Sequence, residues 1–461
     1  MLDSKPCGRV RATAVSLLVV TALLGAGPAA GAGIERLTLA AAVSRALQEG
    51  YAARIARLTT GGARDAHLEM RGSYLPQFSV TSAAGWSNRR DEKLIALDKS
   101  GKFRTYDIAS MGSSEGSFNV YIEQLLFDLE RWRLIEREEI AAEAAHVAEL
   151  QERESVAYDV TRKFTQVVRF QRLADLAGQQ VADARWLDDQ ARKLYEVGQL
   201  LQSELGLVAL HLDESEIAAQ MRAAEADDAR AALWLVIGAG EEAEMPISVA
   251  AESLPRLDAV PEEEDEALST SPELRVLELR RRMEEANVSA ASARRLPTVG
   301  IRAGYAYFGT DDRGDLYQDE VRVGLAIEVP IFDGFQAKHG IAAARKKAEI
   351  ARLRHRSLLD RKRLRVRELI RQLEMAGLRQ GLAERRETVA REEQRLVDLR
   401  LQAGRERLKD ALTVREEAVR DAGAAADARF ARIDLWAELQ HERGRLTDAI
   451  LGSSAGSASA P

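Results

Sequence analysis

The sequence predicts a mainly α-helical chain with a small β part, built from two copies of one unit. Three observations carry that prediction. The first is where proline falls: none lies between Pro76 and Pro246, and none between Pro330 and Pro461. Proline lacks the N–H that a helix interior needs and its ring clashes with the preceding turn, so these tracts, rich in Ala, Leu, Glu and Arg, read as very long helices. The second is internal similarity. Ala46-Leu47 and Ala267-Leu268 open segments that align without a gap to Leu75-Pro76 and Leu296-Pro297, at a constant offset of 221. Leu126-Phe127-Asp128 then matches Ile331-Phe332-Asp333 at an offset of 205, and Val197-Gly198 matches Ala403-Gly404 at 206. One loop insertion of 16 residues accounts for most of the difference between the halves, which reads as a duplication. The third is composition: 46% hydrophobic and 30% charged, with no run of apolar residues long enough for a spanning helix. That excludes a disordered chain and a polytopic helical membrane protein.

From the N-terminus, Lys5, Arg9 and Arg11 precede the apolar run Ala12–Leu24 and the small-residue exit Ala30-Gly31-Ala32. This is the pattern of a secretory signal peptide, residues 1–32, cleaved after Ala32. The single cysteine, Cys7, goes with it, and its place before the apolar run argues against lipid attachment. Without the leader the charge falls from −7 to about −9, which argues against nucleic acid as a partner.

Each half then reads in one order: a helix of about 35 residues, a pair of strands, and a long helical hairpin. The first repeat is 33–237, the second 262–446, and a Gly-, Pro- and acid-rich stretch, 238–261, links them beside the helical body. The opening helices are Thr38–Gly72 and Glu262–Arg295. Strand candidates are Tyr74–Trp86, Gly116–Phe127, Pro297–Phe308 and Glu320–Phe332. In the last, Val321, Val323, Leu325, Ile327 and Val329 alternate with Arg322, Gly324, Ala326 and Glu328. Each is about the 9–11 residues of a tilted membrane strand. Two readings stay open at this point. The strands are a soluble sheet capping the helices, or they belong to a membrane barrel; four are fewer than the roughly eight that close one, so a barrel demands an oligomer.

The tracts from Asp128 to Gly198 and from Gly334 to Gly404 would each extend roughly 105 Å as helix. Leu187, Leu194, Leu201 and Val208 recur every seven residues, as do Met375, Leu382, Val389 and Leu396, giving a partial coiled-coil seam. Gly198 and Gly404 sit where each tract turns back into a shorter helix. Residues 447–461 read as a disordered tail.

These features in this order resemble the TolC family of outer-membrane efflux and secretion channels. The resemblance rests on Leu37-Thr38-Leu39-Ala40-Ala41-Ala42-Val43 with Ala46-Leu47, on Leu75-Pro76-Gln77 and Leu296-Pro297-Thr298, and on Val329-Pro330-Ile331-Phe332-Asp333-Gly334-Phe335. The last is close to the family's V-P-(L/I)-F-D-G-G; its first-half counterpart, ending Phe127-Asp128, lacks the proline. Membership implies a homotrimer in which each chain gives four strands to a 12-stranded outer-membrane barrel, continued by an α-helical barrel across the periplasm. It also implies contact with outer-membrane lipid, docking to a periplasmic adaptor of the membrane-fusion type, and an inner-membrane pump, proton-driven or ABC. By the same resemblance the hairpin tips carry a Gly and an acid six residues later. Gly198 and Glu204 match, as do Gly404 and Asp410, whereas the family's intervening hydroxyl is replaced by Leu201 and Arg407. Asp410 resembles an acidic constriction residue of the periplasmic aperture, and Glu406 stands where a basic gating residue can occur. Taken from the residues alone, Asp410 is a solvated helix-end acid offset by Arg405, Arg407 and Lys409.

Other chemistry is missing from the sequence. The six histidines form no i,i+4 pair, and there is no phosphate-binding loop, dinucleotide fingerprint or nucleophile elbow, so neither an enzyme nor a cofactor is called for. The expected function is a passive outer-membrane exit duct for efflux or type I secretion. The alternative is a periplasmic coiled-coil adaptor or tether without a pore.

Overall fold

The computed structural model describes residues 37–86, 93–97, 102–107, 114–238, 250–251, 254–255, 271–311, 316–403 and 405–457. The leader with its cleavage site, most of the 238–261 linker, and Gly404 lie outside the described residues.

The first repeat opens with α1 (Leu39–Glu49), whose first turn is capped by Thr38 Oγ1 accepting from the Ala41 N–H at 3.2 Å. The single helix expected over Thr38–Gly72 is broken at Gly50, which adopts extended backbone before α2 (Tyr51–Gly72). Only glycine fits that corner: a Cβ there would lie 2.3 Å from the Ala46 carbonyl oxygen. Strand β1 (Gln77–Trp86) follows, then a hairpin of β2 (Lys93–Leu97) and β3 (Phe103–Asp107). The insertion that the sequence suggested was plain loop thus carries a small sheet of its own. After β4 (Ser114–Phe127) comes α3 (Leu129–Glu196), 68 residues long, and its return α4 (Gln202–Ile237).

The second repeat reads α5 (Pro272–Ala293), β5 (Thr298–Asp311), β6 (Leu316–Glu328), α6 (Gln336–Gln402) and α7 (Leu408–Arg443). Residues 447–461 had read as a disordered tail. Instead α8 (Leu446–Ser457) follows, with Leu446 and Ile450 in the core. A pair of well-spaced apolar side chains outweighs the Gly- and Ser-rich composition around them.

Two helices stack end to end beside each long one. α2 and α4 together run along α3, and α5 and α7 along α6. Where α2 meets α4, Gly238 at φ +82° brings its backbone against Glu49 and Gly50, closer than any Cβ would allow. Around this waist lies the largest apolar cluster, in which α1, α8 and Leu254 of the linker pack on α3, α4 and α7 through Val43, Val160, Phe164, Val167, Ile237 and Leu446. Below the waist the helices lie side by side in the order α4, α3, α7, α6. Above it the order is α2, α3, α5, α6. At the top, one antiparallel sheet runs β1-β4-β5-β6.

Candidate functional site

The sheet has one apolar face and one polar face, and the apolar one is bare. Val80 pairs with Val120, Val120 with Tyr305 and Tyr305 with Val321; Phe78 pairs with Ile122 and Ile301 with Leu325. None is covered by the helices: Val321 is 75% exposed and Val323 68%. A soluble cap would bury that face and solvate the other. Here the opposite face carries the charges, with Arg302 paired to Glu123 and lying 5.9 Å over the Tyr121 ring, and Arg322 held by Glu320 at 2.9 Å. Apolar outside and polar inside is the pattern of a strand between hydrocarbon and an aqueous lumen.

The strand-to-helix junctions do the same job by different local chemistry. Asp128 caps α3, its Oδ1 accepting from the Arg131 N–H at 3.0 Å, and its own N–H donates to the Tyr74 hydroxyl at 2.9 Å. A register shift in β4 between Leu125 and Phe127 re-aims the strand end here. In the second half Pro330 and Phe332 leave β6, and Asp333 Oδ2 accepts from the Ala337 N–H at 2.7 Å. Gly334 and Phe335 both take left-handed backbone, φ +64° and +68°. Pro76 and Pro297 each follow a tightened helix end, where Leu75 and Leu296 donate to Gly72 and Ala293 at 3.0 and 2.9 Å.

At the far end, Gly198 at φ +74° ends α3 in a left-handed turn, closed by the Gln199 N–H on the Leu194 carbonyl at 2.8 Å. Arg405 donates to Arg400 at the same distance across the equivalent turn. Glu204 is a capping residue: its carboxylate accepts from the Leu201 N–H at 3.1 Å. Asp410, its counterpart, is exposed in the first turn of α7 with no side-chain partner among the described residues. Arg407 is exposed at the N-cap of that helix, and Glu406 faces Arg400 at 3.9 Å.

Between tip and waist lie polar contacts that the sequence reading missed. Arg415, nearly buried, projects from α7 between the two hairpins. Its guanidinium stacks 4.7 Å over Trp186, donates to Asp398 of α6 at 2.7 Å and lies 3.5 Å from Asp183 of α3. Burial pushes the Asp183 carboxyl up, partly offset by Arg415. A signal was available: Leu408, Ala411, Arg415, Ala418, Ala422 and Ala425 form one buried stripe in which a single charge interrupts small apolar residues. Higher up, Lys362 on α6 staples the end of α7 to the start of α5, reaching Glu442 at 2.6 Å and Glu273 at 2.8 Å. Burial alone would lower its pKa, but the two carboxylates outweigh that and push it up. Glu154, on α3, accepts from the Leu446 N–H at 2.9 Å and so caps α8.

Comparison with known proteins agrees with this geometry. Residues 265–445, the second repeat, match the sequence model of the outer membrane efflux protein family. No curated protein matches the sequence. Among solved structures, a membrane protein from Pseudomonas aeruginosa superposes with a TM-score of 0.74 at 15% identity, over 88% of this chain and 90% of that one. The CmeC outer membrane channel of Campylobacter jejuni gives 0.72 at 13% identity, over 88% and 85%. The MtrE outer membrane channel of Neisseria gonorrhoeae, in its open state, gives 0.70 at 17%, over 88% and 89%. The chain therefore has the fold of the TolC-like outer-membrane channels over nearly all its described length, and its second repeat carries the sequence signature of the outer membrane efflux proteins.

Proposed function

We propose that this protein is the outer-membrane channel component of a tripartite efflux or type I secretion system: a passive homotrimeric duct, crossing the outer membrane as a 12-stranded barrel and the periplasm as a helical one. The observation that carries the reading is that every tier of the chain is left open along the same two edges, apolar along the helices and unpaired backbone along the sheet. On one side stand β1, with its open backbone ladder, and α2 and α4, exposing Ile55, Leu58, Ile217 and Met221. On the other stand β6, with its open backbone ladder, and α6, exposing Leu353, Leu364, Leu382 and Val389. Met375, Leu382, Val389 and Leu396, the heptad series of the sequence, are likewise exposed and not packed inside the subunit. Two unlike edges that continue through membrane, waist and tip fit a head-to-tail contact between copies, and a head-to-tail contact closes into a ring. Transport is then energised by partners, a periplasmic adaptor meeting the tip hairpins and a pump in the inner membrane. Fractionation tests the reading: heat-modifiable trimers in outer-membrane fractions are expected, and release of the protein by osmotic shock overturns it.

In such a ring three copies of Asp410 come together at the periplasmic aperture, where like charges repel one another and attract cations. The exposed, unpaired carboxylate supports this role, whereas the capping geometry of Glu204 gives that acid a local one. Asp410→Ala is expected to raise single-channel conductance in planar bilayers or to shift it away from cations. Unchanged values remove Asp410 from the gate.

A further inference from the structure

The charge of α6 is distributed unequally along its length. Between Lys338 and Arg371, 13 Lys and Arg stand against Glu349, Asp360 and Glu368 alone, in a chain whose net charge is −7. The buried stripe of this helix, through Ile341, Leu358, Lys362, Val366 and Leu369, packs against α5 and α7. Ile350, Leu353 and Leu364 lie on the opposite, open edge. Two faces remain. At about 100° per residue, one carries Arg345, Arg352, Arg356 and Arg363, and the other Lys347, Arg354 and Arg361.

The first face borders clefts lined by Glu143, Arg275, Glu278, His355 and Arg363, and above them by Glu285, Arg345 and Arg352. Glu143 and Glu154 are eleven residues apart on α3, about three turns, and so share one side of the wall. That is the side on which Glu154 holds α8, so the accessory elements thicken the wall there. A duct keeps such elements out of its bore, which makes that side the outer one. Lys347, Arg354 and Arg361 then face the lumen. They are spaced seven apart, about 10 Å of rise each. All three are exposed, and among the described residues none has an acidic partner; Arg361 reaches only the Ser357 carbonyl at 3.4 Å. The neighbour across the open edge brings no net negative charge to them, since α2 carries Arg54, Arg57, Arg64 and Arg71 against Asp65 and Glu69.

We propose that the outer-membrane half of the helical duct is an anion-attracting section, formed by stacked rings of Lys347, Arg354 and Arg361, which binds polyanions that reach it from the barrel side. The inference rests on the trimeric-duct reading. Rings of like charge on a low-dielectric wall focus the field into the bore and concentrate counter-ions there. The section lies between the barrel and the waist, so an anion entering from the barrel side reaches it without passing the tip.

Purified trimers in planar bilayers, with inositol hexakisphosphate added on the barrel side, provide the test. Current through the wild-type channel is expected to be blocked. In Lys347→Gln/Arg354→Gln/Arg361→Gln the half-blocking concentration is expected to rise about tenfold or more, and in Arg345→Gln/Arg356→Gln/Arg363→Gln, which removes the same charge from the outer face, to stay within about twofold. An equal effect of both triple variants, or none from the first, overturns the proposal while leaving the duct intact. Wild-type trimers that open no channel before the anion is added overturn the duct and the proposal together. If the first triple variant fails to form heat-modifiable trimers, the three single Gln variants replace it, each with an expected rise of about twofold and the same rule for rejection.

Discussion

Two residues show where this chain departs from its own local preferences. Asp434 on α7 is largely buried beside α3, and burial, opposed by Arg162 and Arg169, pushes its carboxyl up to about 6. One of its oxygens has no hydrogen-bond partner. Because the folded-state pKa lies above the unfolded one, the ionised carboxylate opposes folding. The penalty is absent below about pH 4 and complete above about pH 6. Asp434→Asn is therefore expected to raise the thermal midpoint of detergent-solubilised protein at pH 7.5 and to lose that advantage near pH 4, followed by helical circular dichroism. Phe335 is the second case. Its left-handed backbone costs a non-glycine residue roughly 1–2 kcal/mol, yet its ring meets Phe332 edge to face at 5.6 Å and lies 5.8 Å from Lys338. Strain and ring contact nearly balance, so Phe335→Gly is expected to change stability little. Phe335→Val keeps the strain, adds a β-branch and loses the ring, and is expected to cost about 1–2 kcal/mol in urea denaturation.

At the scale of elements, the two repeats solve one problem twice with different chemistry. Each must join two short helices end to end beside a long one. The first half does it with backbone contact between Gly50 and the end of α4, the second with Lys362 bridging Glu273 and Glu442. Lys362→Met removes the cation from two partly buried carboxylates and is expected to destabilise the fold by about 1–3 kcal/mol, read from denaturant unfolding at neutral pH. Since the lysine is held above its ordinary pKa, its contribution is complete below about pH 10 and fades only as pH rises further. The element scale was also where the sequence was most legible. Proline gaps mark α3 and α6, and the duplicated Leu-Pro and Phe-Asp pairs mark the sheet. The break at Gly50 was hidden because a lone glycine inside a helical pattern costs only about 1 kcal/mol and is often tolerated. What singles this one out is contact with α4, nearly 190 residues away. α8 was hidden for a similar reason: Glu154, which caps it, lies 292 residues upstream. The partners of Arg415, Lys362 and Asp434 lie on other helices, which no spacing along one helix discloses, although the lone charge in the apolar stripe of α7 marks Arg415 itself. The turn after α3 was legible because a glycine, Gly198, marks it.

For the whole molecule, the consequence of the shared edges is that stability and assembly are coupled. Leu382 and Val389 are 54% and 66% exposed in one subunit. Placing charge there leaves the subunit fold unperturbed but, in the proposed ring, puts it into the contact between copies. Leu382→Glu/Val389→Glu is expected to abolish the trimer on native gels while helical content is kept, whereas the same charges at exposed Arg395 and Gln402 are expected to leave it. The sheet carries this coupling furthest. Its outer strands, β1 and β6, each end the ladder with a row of unpaired N–H and C=O groups. In water such an edge is tolerable; in hydrocarbon each orphaned group costs several kcal/mol. In the proposed ring, a lone subunit's four strands have no stable residence in lipid until the last edge is closed. On that proposal, insertion and ring closure become one event: the strands enter lipid only as they meet their neighbours.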